Sequence, residues 1–194
     1  MFQILLMYYL CRMRLNRILL LLSAITVLTP ACKKAANPND ENEHEAINKV
    51  EMVFTRPGVG TTIFLIEDPD GDGGNPPSRI DTIKLNAGIT YMLDVRIKNI
   101  VSGRETDLTS TIVAQGKAHE MYFIPTGITI NITKNDRDAS GYPIGLKSTW
   151  AVGTPGNGTL LLKLMHKTGI KGPTDAPNVG HADLQVVIPI RITI

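Results

Sequence analysis

The sequence predicts an all-β protein, a two-sheet antiparallel sandwich of about nine strands with one short helix. Three observations carry this. From Ile47 onward apolar residues recur with period two: Ile89, Tyr91, Leu93, Val95 and Ile97 alternate with Thr90, Met92, Asp94, Arg96 and Lys98, the pattern of a strand with one face in a core and one in water. Turn signals rich in glycine and proline separate such segments at short spacing, among them Arg56-Pro57-Gly58, Asn86-Ala87-Gly88, Pro125-Thr126-Gly127 and Pro155-Gly156-Asn157-Gly158. Many short strands with turns of this kind argue for a sandwich or a barrel. Only one segment admits a helical reading.

In chain order, the strands are expected at Val50-Met52-Phe54, Thr61 to Ile66, Ile80 to Leu85, Ile89 to Ile97, Ala118 to Ile124, Ile128-Ile130-Ile132, Leu146 to Val152, Leu160-Leu162-Leu164 and Leu184 to Ile194. Within the last, Pro189 cannot donate to a ladder and so marks an edge or a bulge. The helix is expected from Asp107 to Gln115, where Leu108 and Ile112 are four apart and Asp107 is placed to cap, although Thr109, Thr111 and Val113 are β-branched. An Ig-like sandwich fits this layout first, and a jelly-roll-like arrangement second. Residues 47–194 have the size of one domain.

The N-terminal segment speaks of destination. Arg14 and Arg17 precede the apolar run Ile18 to Leu28, which is followed by Thr29-Pro30-Ala31-Cys32. A positive start, a short apolar segment and a small residue before the cut define a secretory signal peptide. A transmembrane span needs about 17 to 25 apolar residues, more than this run supplies. Extending it back to Phe2 places Arg12, Arg14 and Arg17 inside the bilayer, at about 2.5 to 3.5 kcal/mol each near its centre. Met13-Arg14-Leu15-Asn16-Arg17 suits a signal start better than the apolar residues before it, so translation is expected to begin at Met13.

With Ala31 before it, Cys32 resembles the lipidated cysteine of the bacterial lipobox, although Thr29-Pro30 departs from the common form. The resemblance, to small Bacteroidota lipoproteins, implies a signal peptide over 1–31 and a lipidated N-terminus and disordered tether over 32–46. It also implies a diacylglyceryl thioether on Cys32. One acyl chain binds a membrane marginally and two or more anchor it. Lys33 after the cysteine implies sorting to the outer membrane. The tether has no apolar residue larger than alanine up to Glu45, too little to offset ordering entropy.

Processing removes Cys11 and acylates Cys32, leaving no free thiol, which excludes disulfides and thiolate metal sites. It also removes three arginines, so the basic count falls from 20 to 17 against 18 acids, a net of minus one. A chain near neutrality without a basic cluster lacks the electrostatic footprint of a nucleic-acid binder.

Two acidic glycine loops are the chemical candidates. Asp68, Asp70 and Asp72, followed by Gly73, resemble the first half of an EF-hand-type calcium loop, whose alternate oxygens converge on the ion. Arg79 stands where the bidentate acid belongs, so only weak calcium binding is expected. Asp136, Asp138 and Ser140 form a weaker half-match, with Lys147 at that place. The bland reading of both is a solvated turn. The four histidines, His44, His119, His166 and His181, show no metal-ligand spacing. His119 beside Glu120, and His181 near Asp183, are the residues an acid–base site would use, but near strand ends they read better as surface or edge residues. No G-x-S-x-G or phosphate-loop pattern occurs. Trp150, Tyr122 and Tyr142 are the aromatic residues available for a glycan platform, though Trp150 reads first as a core anchor. The sequence thus points to a non-catalytic, lipid-anchored envelope protein, a binding or structural accessory with a glycan or envelope-protein partner. The alternative is a glycan-binding module of an outer-membrane uptake system.

Overall fold

The computed structural model describes residues 47–71, 74–173 and 176–194. These residues form two packed sheets. The first contains β1 (Lys49–Arg56), β2 (Gly60–Glu67), β3 (Arg79–Ile80), β5 (Thr90–Val101), β6 (Arg104–Asp107), β8 (Ile130–Lys134) and β9 (Lys147–Val152). Its order is β3-β2-β1-β5-β9-β8, with β6 pairing the far half of β5. The second contains β4 (Ile83–Asn86), β7 (His119–Thr126), β10 (Gly156–His166) and β11 (His181–Thr193) in the order β4-β11-β10-β7. The all-β sandwich read from periodicity is the fold found.

Two details depart from the expected nine antiparallel strands. The Ile80 to Leu85 segment splits: β3 pairs with β2 in the first sheet, and β4 crosses to the second, where it runs parallel to β11. A strand that changes sheet this way builds a corner of a sandwich. β11 gains β4 as a neighbour only from Ile190 on, so Pro189 stands where that side of the strand is still an edge. The second departure is β6, whose residues are all exposed. It has no buried face, so it carries no apolar alternation to betray it.

The helix α1 (Thr109–Ala114) is where it was expected. Asp107 accepts a hydrogen bond from the Thr109 N–H at 2.8 Å, while Leu108 occupies the N-cap position. Ile112 is its one buried residue. Among the described residues no helix is long and apolar enough to cross a membrane.

The core lies between the sheets. Met52, Phe54, Leu93, Val95, Trp150 and Val152 of the first sheet join Met121, Leu160, Leu162, Leu164, Ile188 and Ile190 of the second in one cluster. Trp150 is the rivet. Its ring meets Phe54 edge-on at 5.0 Å on its own sheet and Phe123 at 5.4 Å on the other, the T-shaped geometry aromatic quadrupoles favour. Its Nε1–H donates to Ser148 Oγ at 2.8 Å, so the buried indole is satisfied.

Candidate functional site

Three strand ends of the second sheet meet in a polar corner. β7 and β10 pair so that His119 faces His166, and β10 and β11 pair so that His166 faces His181. His119 lies in phase with Met121 and Phe123, and His166 with Leu160, Leu162 and Leu164, so both imidazoles turn toward the core side. Their ring centroids are 4.6 Å apart. Asp183 arrives differently. The β10–β11 register slips between Leu164, which pairs with Leu184, and Met165, which pairs with Ala182. Asp183 is the extra residue of that bulge, and it is buried beside the equally buried Leu184. Bulges re-aim side chains in this way.

The result is a compact constellation. His119 Nε2 lies 3.3 Å from Asp183 Oδ2, and His166 Nδ1 lies 3.7 Å from the same oxygen. The His119 and Asp183 side chains are wholly buried, and His166 retains 15% exposure. His119 Nδ1 sits 3.2 Å from the Gln115 carbonyl. A carbonyl can only accept, so Nδ1 carries the proton and donates. His166 Nε2 shares a 2.7 Å hydrogen bond with Thr168 Oγ1. Gly180, at φ +91°, lets β11 begin here, for a Cβ there would collide with the His166 carbonyl.

On the other side of β7 lies a network of charges. Glu120 accepts from Lys134 Nζ at 2.6 Å and from the Tyr122 hydroxyl at 2.7 Å. Lys167, fully buried, places its ammonium 3.4 Å from Glu120 Oε2 and donates to the Tyr122 hydroxyl. Lys134 and Lys167 also stand over the Tyr122 ring, 4.0 and 4.6 Å from its centroid. Burial pushes the Lys134 pKa below the ordinary lysine value, with Lys167 and Lys171 adding to the push and Glu120 opposing it. Lys171 binds the carbonyls of Gly116 and His119 at 2.7 and 2.9 Å and the Asp138 carboxylate at 2.9 Å. Three ammonium groups thus fasten the segment after β10, the β8 edge and the 135–146 loop to the start of β7.

The acidic loops are placed elsewhere or used differently. In the β2–β3 loop, Asp70 Oδ2 accepts from the Asn75 N–H at 2.8 Å and from Asn75 Nδ2 at 2.7 Å. These bonds hold the Asp70 pKa below its ordinary value. Asp68 donates its N–H to the Asn48 carbonyl at 2.9 Å. Asp72 lies outside the described residues, as do Cys32 and His44. In the second loop, Asp136 accepts from the N–H groups of Gly145 and Leu146, and Asp138 from those of Ser140 and Tyr142. Burial raises the Asp138 pKa, but Lys171 and the two N–H groups outweigh it and hold the carboxyl below its usual range. Both acids are thus engaged as internal acceptors, and Gly145, at φ +88° with Met121 O 2.7 Å from where a Cβ would stand, admits this close approach.

Trp150 and Tyr122 are buried, so the three aromatic residues do not form an exposed platform. A surface cleft of about 610 Å³ lies where β9 parts from β5. Asp94, Asp107 and Asp136 line it together with Arg96, Arg137 and Lys147, and no aromatic side chain does. Comparison of the chain with protein-family models, with curated proteins and with solved structures finds no match.

Sequence reasoning named His119, His166 and Asp183 but did not join them, reading the histidines as lacking metal-ligand spacing, and it passed over Lys167. The phase of His119 and His166 with the apolar face of their strands was the available signal. His119 is buried, where a surface or edge setting had been the expectation, while His181 is exposed at the start of its strand.

Proposed function

We propose that this chain is a non-catalytic, lipid-anchored protein of the cell envelope, a binding or structural accessory held at the outer membrane through acyl chains on Cys32. The observation that supports an accessory over a glycan-binding module is the complete burial of Trp150. Glycan recognition by stacking needs an exposed ring, and this indole is spent on joining the two sheets. Tyr122 is likewise buried, with its hydroxyl bonded to Glu120. The charged network is consistent with a rigid module, since its carboxylates and ammonium groups are matched to one another. The mixed acids and bases of the surface cleft suit a polar polypeptide partner better than a sugar face.

The experiment begins with fractionation. The processed protein partitions into membrane or detergent, and its N-terminal peptide begins at Cys32 with the added mass of acyl chains. Cys32→Ala releases the protein or leaves it unprocessed. A mature N-terminus elsewhere, or one without lipid mass, overturns the anchor. Trp150-independent binding on a glycan array would restore the sugar reading by another surface.

A further inference from the structure

We propose that His119, His166 and Asp183 form a binding site for one divalent transition-metal ion, zinc by the chemistry of its donors. This goes beyond the envelope reading and stands on geometry alone.

The three donor atoms lie within 4.8 Å of one another. The separations through Asp183 Oδ2 are 3.3 and 3.7 Å. Tetrahedral ligands at bond lengths of about 2.0 to 2.1 Å stand about 3.3 Å apart, so small side-chain adjustments bring all three onto one ion. The hydrogen bonding of His119 points the same way. Its Nδ1–H is committed to the Gln115 carbonyl, which leaves Nε2 as the free lone pair. A backbone carbonyl holding the second nitrogen is the usual support of a metal-bound imidazole. Nε2 is buried and makes no hydrogen bond to any described residue, yet it faces a carboxylate oxygen at 3.3 Å. A ring lone pair and a carboxylate oxygen facing each other in a buried site repel, and a cation between them turns that repulsion into attraction.

That cation is a proton or a metal ion. His166 favours the metal, because its Nδ1 is a third donor atom 3.7 Å from the same oxygen, and three converging donors suit an ion better than a shared proton. Two imidazoles and one carboxylate suit zinc and its neighbours, whereas calcium and magnesium take oxygen ligands. The nearby ammonium groups have their own anions: Lys134 and Lys167 share Glu120, and Lys171 holds Asp138. His166, partly exposed, gives the ion its way in. Three protein ligands from β7, β10 and β11 leave a fourth position for a solvent molecule or a ligand. A bound ion would also lock three strand ends together.

The test uses the full-length protein in detergent, stripped with EDTA and titrated with zinc alone. One equivalent binds, and zinc at a hundredfold excess over its dissociation constant raises Tm by about 5 to 11 °C. His166→Ala, a change at a partly exposed site, weakens binding by more than about 100-fold, beyond the 10 to 100-fold typical of losing an outer-shell partner. Asp183→Asn acts likewise, and His181→Ala leaves binding intact. Cobalt bound to the unaltered protein gives the intense visible bands of four-coordinate geometry, which decides the matter even if the buried variants misfold. No stoichiometric zinc, an unchanged cobalt spectrum, or binding that survives His166→Ala overturns the site. Loss of binding in His181→Ala with retention in His166→Ala moves it to the surface.

Discussion

Asp70 lies in the β2–β3 loop and Asp183 in the bulge of β11, and only the first announced itself. Asp70 belongs to a run of alternating acids, and the folded protein holds it at the surface, where Asn75 supplies its hydrogen bonds. Asp183 stands alone in the sequence between Ala182 and Leu184, yet it is wholly buried against two histidines. The difference teaches that a dense motif can be met by local turn chemistry, whereas an isolated charge driven into the interior must be met by distant partners. The cost of burying charge makes the second kind more consequential.

Substitutions should separate the two regions by the size of their effects. The largest belongs to Lys167. Lys167→Ala strips a buried cation from Glu120 and Tyr122 and is expected to cost about 3 to 5 kcal/mol, read from urea unfolding. Replacing all three charges, Lys167→Met and Lys134→Met with Glu120→Gln, should cost less than the single change, because no charge is left without its partner. Equal losses would show that packing rather than charge holds the corner.

Asp138 comes next. Asp138→Asn weakens the hold on Lys171 and on two loop N–H groups, an expected loss of about 1 to 3 kcal/mol. Its carboxyl titrates lower in the folded state than in the unfolded one, so the unfolded chain binds more protons as pH falls. The contribution is complete above the ordinary carboxylate value of about 3.9 and is lost as pH drops through the lower folded value. Unfolding curves at pH 7 and pH 3 should therefore converge more in Asp138→Asn than in the unaltered protein.

The smallest effect lies in the exposed loop. Calcium must displace the Asn75 donors from Asp70, so an affinity in the weak extracellular class, near 1 mM, is the most the loop can offer. Calcium at that concentration should raise Tm by about 1 to 2 °C, and Asp70→Asn with Asp72→Asn should remove the shift. A rise several times larger would erase the contrast between the two regions.

Much of the fold was legible because strand alternation is local. Ile89 to Ile97 alternate in the sequence and in the burial of β5, and Trp150, in phase with Leu146, Ser148 and Val152, is buried with them. His119 and His166 were legible in the same sense, as polar residues in phase with an apolar face. Asp183 was not. Strict alternation from Leu184 and Val186 turns it outward, and only the bulge opposite Met165 reverses it. Lys167 was hidden for another reason: it is out of phase with the core and is buried by the segment after β10, whose Ala176 carbonyl lies 3.4 Å from its ammonium.

By itself the sequence determined the all-β class, the places of most strands and the core face of each, because these follow from which neighbouring side chains prefer water. Tertiary structure decided that Ile80 to Leu85 divides between two sheets, that β6 exists, and that His119, His166 and Asp183 converge. Those outcomes depend on the register between β7 and β10, 47 residues apart at His119 and His166, and on one slipped residue in β11. Register is settled by the packing of the whole sheet, and a one-residue slip turns a side chain to the other face.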